Sequence, residues 1–165
     1  MSEFEIRRLG TADVRVYQAL FLEALRSAPS AFAADYEQES VRSLEEVSER
    51  LQREATYGAF VEGSLQGIAT FQQQMSPKRR HVGMVWNMHV AEGHRGTGLS
   101  AAIFQHVLDV ASREVDQVDL YVAVENKRAW KFYKRFGFES YGVMPRALRV
   151  DGTDYDALMM TRKFR

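Results

Sequence analysis

The sequence contains no cysteine, which excludes disulfides, thiolate metal sites and a cysteine nucleophile and fits the cytosol. It has no apolar run approaching the ~18 residues of a membrane span. It also lacks any excess of charge. Lys plus Arg equals Asp plus Glu at 22 each, so no global field argues for nucleic acid or an anionic membrane, and electrostatic recognition has to be local. The start, Met1-Ser2-Glu3-Phe4-Glu5, shows neither the basic nor the apolar segment of a signal peptide, and no internal repeat or low-complexity tract is present. What is there is a chain of 165 residues, 45% hydrophobic, the size of one ordinary domain spanning 1–165 with a core of its own.

Phe4 to Leu9 alternates as a first strand, and Thr11 is placed to cap a helix with apolar positions Val14, Tyr17, Leu20, Phe21, Ala24 and Leu25, ended by Pro29. Ser30 to Ser40 reads as irregular and carries Phe32, Asp35, Tyr36, Glu37 and Glu39. Ser43-x-x-Glu46 is a capping box for a second helix with Leu44, Val47 and Leu51 behind it. From Tyr57 the period changes to two: 57–61 and 65–71 form a hairpin around Glu62-Gly63-Ser64. A polar loop, 72–80, contains Lys78-Arg79-Arg80. Val82 to Val90 is then a strand with Met84, Trp86, Met88 and Val90 on one face and Val85, Asn87 and His89 on the other.

That strand leads through Ala91 to His94 into Arg95-Gly96-Thr97-Gly98-Leu99-Ser100 and a helix whose apolar stripe is Leu99, Ala102, Ile103, His106, Val107, Val110 and Ala111. Glycines at 96 and 98 let backbone amides approach a ligand. With the partial charge of roughly +0.5 at a helix N-terminus and the Arg95 cation, they make a site for a phosphate or pyrophosphate. Residues 96–101 also fit the dinucleotide fingerprint G-x-G-x-x-G/A. That fingerprint wants its first glycine at the strand end, whereas Ala91 to Arg95 intervene here and no repeated βαβ series follows.

After this helix, Val118, Leu120, Val122 and Val124 alternate as a strand parallel to 82–90. The next segment is a helix opened by Asn126 and stopped by Gly137. Ala129, Phe132 and Phe136 form its core stripe, and Asn126, Trp130 and Tyr133 share a neighbouring face. A closing hairpin, 140–150 and 153–161, turns at Asp151-Gly152, with Pro145 marking an edge or a bulge.

Arg95-x-x-Gly98-x-Ser100 resembles the R/Q-x-x-G-x-G/A pyrophosphate loop of the GCN5-related N-acetyltransferase (GNAT) superfamily, with Ser100 in place of the usual Gly or Ala. Leu120-x-Val122-x-x-x-Asn126-x-x-Ala129-x-x-x-Tyr133-x-x-x-Gly137-Phe138 resembles that superfamily's second motif, in the right order and at a suitable separation. The resemblance implies a mixed α/β domain ordered strand, two helices, three strands, helix, strand, helix, two strands, with a splayed central sheet flanked by helices. It implies acetyl-CoA as co-substrate and no metal. The pyrophosphate would rest on the amides of Arg95, Gly96, Thr97, Gly98, Leu99 and Ser100, and the pantetheine arm would pair with the backbone of Met88, His89 and Val90. Asn126 and Ala129 would lie along that arm, and Tyr133 would act as general acid beside the sulfur.

Amine acylation also needs a neutral amine. No carboxylate occurs in 81–90, so the base is not evident; His89 is the one side chain there that titrates near neutrality. An α-amino group of pKa near 8 is roughly ten per cent neutral at pH 7 and a lysine below about 0.1 per cent, which favours a small amine, an amino acid or a peptide N-terminus as acceptor. Asp35, Glu37 and Glu39 with Phe32 and Tyr36 suit a cationic amine. Lys78-Arg79-Arg80, Arg146 and Arg149 suit a carboxylate. The expected activity is N-acetyl transfer in the cytoplasm, with no nucleic-acid or membrane partner and a homodimer compatible with the sequence. The alternative is a non-catalytic acyl-CoA sensor.

Overall fold

The computed structural model describes residues 3–165. Its strands are β1 (Glu5–Arg8), β2 (Ala55–Val61), β3 (Ser64–Gln73), β4 (Val82–Val90), β5 (Gln117–Ala123), β6 (Glu139–Val150) and β7 (Thr153–Lys163). The helices are α1 (Val14–Ser27), α2 (Tyr36–Ser40), α3 (Leu44–Arg53), α4 (Leu99–Glu114) and α5 (Lys127–Arg135). Among the described residues the strands form one sheet in the order β1-β2-β3-β4-β5-β7-β6, antiparallel throughout except between β4 and β5. This is the mixed α/β architecture that the sequence implies, with one short helix added.

Local chemistry sets most of the boundaries. The α1 stripe buries Val14, Tyr17, Leu20, Phe21, Ala24 and Leu25 as the periodicity predicts. The box at the start of α3 closes in both directions: Glu46 N donates to Ser43 Oγ at 3.2 Å, and Ser43 N donates to a Glu46 carboxylate oxygen at 2.8 Å. Asn126 Oδ1 accepts from Ala129 N at 3.2 Å, and Gly137 leaves α5 with φ +83°. Thr11 is not the cap of α1. It lies in a 3-10 turn, where Asp13 instead accepts from Gly10 N at 2.8 Å and from both terminal nitrogens of Arg7 at 2.9 Å.

The 30–40 segment is also more ordered than expected. Asp35 caps α2 by accepting from Gln38 N at 2.9 Å, and Glu39, 6% exposed, accepts from Arg42 and Arg50 at 2.9 to 3.1 Å. Those acids hold the chain rather than a ligand. Arg26 donates to the Tyr36 hydroxyl and lays its guanidinium over the Tyr36 ring.

The sheet separates two cores. One lies under α4 and α5 and includes Phe71, Val85, Val90 and Val118; the other lies under α1 and α3 and includes Leu9, Phe60 and Ile68. The α4 stripe is rotated from its predicted position. Phe104 and Leu108 are buried with Leu99, Ile103, Val107 and Ala111, while Ala102, His106 and Val110 are only half-buried.

A larger departure sits in β4. Thr70 pairs with Trp86 and Ile68 with His89, so two steps on β3 face three on β4, and Asn87 takes φ +51°. This bulge inverts the alternation partway along the strand. Val85 and Val90 therefore share one core, and His89 turns to Phe32 on the other side, not the grouping that strict period two predicts.

Candidate active site

The β4 and β5 strands pair only at Val82–Gln117, Gly83–Val118 and Met84–Asp119. Beyond Met84 they diverge, which opens the wedge expected of a splayed sheet. Two cavities occupy it. The first, about 380 Å3, is lined by Met84, Trp86, Tyr121, Met144, Leu148 and Asp156 among others. The second, about 440 Å3, runs from Met88, His89 and Val90 past Arg95, Gly96, Gly98 and Ser100 to Arg128 and Arg135. They meet at Ala31, Phe32, Met88, Asn126, Ala129 and Tyr133, which line both.

At the mouth of the second cavity Gly96 and Gly98 adopt φ +74° and +91°, and α4 begins with no side-chain cap. Among the described residues, no protein group accepts a hydrogen bond from the amides of Gly96, Thr97, Gly98, Leu99, Ser100 or Ala101. These donors add to the positive end of α4. Arg95 Nε donates to Val90 O at 3.3 Å, which ties the loop back to β4. Two of the sequence-predicted loop residues present only backbone. Leu99 is fully buried in the core, and the exposed Thr97 hydroxyl donates to His94 O at 2.6 Å.

Arg128 and Arg135, not singled out from the sequence, join Arg95 on the wall of this cavity. They are seven residues apart on α5 and so share a face, which is the signal that would have found them. Among the described residues none of the three pairs with a carboxylate, and no Asp or Glu lines the cavity. The surroundings suit a polyanion.

Tyr133 stands at the junction, packed against Phe104 at 5.2 Å between ring centroids, and its hydroxyl has no partner among the described residues. Burial pushes its pKa up to about 12, so the phenol stays protonated through the neutral range. Asn126 lines the junction, its side-chain oxygen being spent on the α5 cap. Trp130 turns away and donates to Val124 O at 3.1 Å.

His89 does not have the basicity expected of it. Only 7% exposed, it packs its ring edgewise on Phe32 at 6.2 Å between centroids, with Nε2 enclosed and unpartnered. Burial, with Arg95 adding to it, pushes its pKa down to about 4. At neutral pH the imidazole is uncharged and a poor proton acceptor.

The residues expected to take the acceptor's charges lie elsewhere, apart from Phe32. Lys78, Arg79 and Arg80 sit on an exposed tip, and Arg146 and Arg149 direct their guanidinium groups to Asp154 at 3.3 and 2.5 Å. Among the described residues, the acidic one that lines the first cavity is Asp156, itself exposed, which the sequence does not single out. No cluster of three or more His, Asp or Glu able to hold a metal ion occurs among the described residues, and no helix there is long and apolar enough to cross a membrane.

Residues 18–138 match the model of the Acetyltransferase (GNAT) family. The L-amino acid N-acetyltransferase AaaT of Escherichia coli (strain K12) is 29% identical over 106 residues, covering 63% of this chain and 65% of that protein, so about a third of the relative lies outside the match. The crystal structure of a GNAT acetyltransferase from Streptococcus pneumoniae superposes with a TM-score of 0.86 at 20% identity, over 98% of this chain and 99% of that one. The structure of yncA from Salmonella typhimurium, solved with its cofactor acetyl-CoA, superposes with a TM-score of 0.80 at 20% identity, over 99% and 95%. At these identities the two structures speak to the fold.

Proposed function

Because the chain belongs to the acetyltransferase (GNAT) family, we propose that it is an acetyl-CoA-dependent N-acetyltransferase acting on a small amine, an amino acid or a peptide N-terminus, with the relative AaaT as a named precedent for the second. The observation that carries this reading is the meeting of two chemically different cavities at Tyr133, one cationic and rich in free amides, the other apolar.

The second cavity fits CoA by its donor set. The amides of 96–101 with Arg95 would hold the pyrophosphate. Arg128 and Arg135 would serve the remaining phosphate, and the β4 edge at Met88, His89 and Val90 would face the pantetheine arm. Bound there, acetyl-CoA supplies an acyl group activated as a thioester. The amine enters from the first cavity, its nitrogen forms the bond to the acyl carbon, the carbon–sulfur bond breaks, and the surplus proton leaves the nitrogen. Tyr133 donates a hydrogen bond to the departing sulfur. With a pKa of about 12 it assists without fully transferring its proton to a thiolate of pKa about 8.5. A cytosolic setting belongs to the same proposal and accords with the absence of cysteine.

A sensor that binds acyl-CoA without turnover is the second reading, favoured by the lack of any carboxylate on β4. Incubation with acetyl-CoA and a panel of amino acids, polyamines, aminoglycosides and peptide N-termini, read by thiol release, separates the two. The enzymatic reading expects amine-dependent release. CoA binding with no release above buffer for any amine overturns it.

A further inference from the structure

The first cavity has a one-sided chemistry. Its wall is mainly apolar, with Met84, Trp86, Leu120, Met144 and Leu148 beside the neutral polar groups of Tyr121 and Tyr155, and of the described residues lining it only the exposed Asp156 is charged. No Lys, Arg or His contributes to it. A free amino acid entering here would bring a carboxylate with no cation to meet it, and an unpaired charge in an apolar site is costly.

The carboxylate of Asp156 is placed there by an irregularity in the terminal hairpin. Met144 pairs with Ala157 and Leu148 with Tyr155, so Pro145, Arg146 and Ala147 bulge out opposite Asp156 alone. Arg146 takes φ +51°, and its backbone N donates to Asp156 Oδ1 at 2.8 Å. One oxygen is thereby anchored, and no protein donor among the described residues takes the other. The Arg146 side chain instead pairs with Asp154, beside Arg149, and neither arginine pairs with Asp156.

We propose that Asp156 receives the ammonium group of the acceptor, and that the acceptor is a primary amine on an apolar body that carries no free carboxylate. Asp156 accepts one proton from the ammonium and passes it to solvent. The neutral amine then forms the carbon–nitrogen bond, and its second surplus proton leaves with the sulfur as the thiol. The inference rests on the enzymatic reading above and narrows its acceptor.

The test compares phenethylamine, phenylalaninamide and phenylalanine, which share a ring and an amine and differ in the carboxyl group, with rates expressed per neutral amine. The wild-type protein is expected to favour the first two over phenylalanine by about tenfold or more in kcat/KM, the factor of one charge-assisted contact. Asp156→Asn keeps an acceptor for the Arg146 amide and removes the charge. It is expected to raise KM for phenethylamine about tenfold, to shrink the preference over phenylalanine, and to leave CoA affinity by calorimetry unchanged. Turnover with phenylalanine equal or superior in the wild type, or an Asn variant that keeps the amine KM and the preference, overturns this inference alone. Bound CoA with no turnover of any amine overturns the enzymatic reading and this inference with it.

Discussion

Tyr133 has the geometry of a donor and the acidity of a reluctant one. The residue lines both cavities, and burial holds its pKa at about 12. Tyr133→Phe keeps the ring against Phe104 and removes only the donor, so turnover is expected to fall about a hundredfold, the low end for a positioned acid. CoA affinity by calorimetry is expected to hold. His89 carries a different consequence, seen in stability. Its folded pKa, about 4, lies below the ordinary 6.5, so between these values the unfolded chain binds the additional proton. Its contribution is complete above pH 6.5 and is lost as the pH falls toward 4, about 2 kcal/mol of it between pH 6.5 and 5. Urea titrations at those two pH values should show this loss in the wild type and a smaller one in His89→Phe. Glu39 acts in a separate window. Burial would raise its pKa, but the hydrogen bonds from Arg50 and Arg42 outweigh that and hold it below the usual 4.5, so its contribution persists until the pH falls below that range.

Among the elements, the turn into α4 is the one proposed to recognise the cofactor through its backbone. A Cβ at Gly98 would meet nothing nearer than Phe4 Cε2 at 3.9 Å, although φ +91° strains any side chain there. Gly98→Asp is therefore expected to stay folded, to lose about 1 kcal/mol of stability to that strain, and to abolish CoA binding by setting a negative charge among the free amides. Calorimetry and a urea curve on the same variant check both halves. This turn was readable in the sequence because glycine and helix period are local signals. So were the α1 stripe, the α3 box and the α5 cap. What escaped was set by pairing across the sheet. The β4 bulge, where two steps on β3 face three, cannot be inferred from Val82 to Val90 alone, and it reassigns His89 from one face to the other. Asp156 escaped for the same reason, since the β6 bulge that aims it is a property of two strands together. Arg128 and Arg135 were visible as a seven-residue repeat, but the aromatic face beside them is the stronger signal.

At the scale of the molecule, the sheet is two blocks, β1-β2-β3-β4 and β5-β7-β6, joined through three residue pairs at one end of the wedge. Phe104 adds a tie beside them. From α4, which lies over the first block, its ring meets Phe132, Tyr133, Phe136 and Phe138 at 5.0 to 5.7 Å between centroids. Phe104→Ala should cost about 3–5 kcal/mol in urea unfolding, as for other buried Phe truncations, and should lower turnover at temperatures where the variant is still folded because Tyr133 loses its backing. The split sheet has a further consequence, for self-association. It leaves four strand edges in place of two, and an unpaired edge is a template for another chain. Three means blunt them. β1 is four residues long and carries Glu5, Arg7 and Arg8; β6 is broken by Pro145 and its bulge; the two inner edges face the cleft that Phe32 also lines. The fold can thus keep a row of unpaired backbone groups ready for a ligand without offering it to a copy of itself, and aggregation is guarded against by shape where the sequence has no net charge to do so.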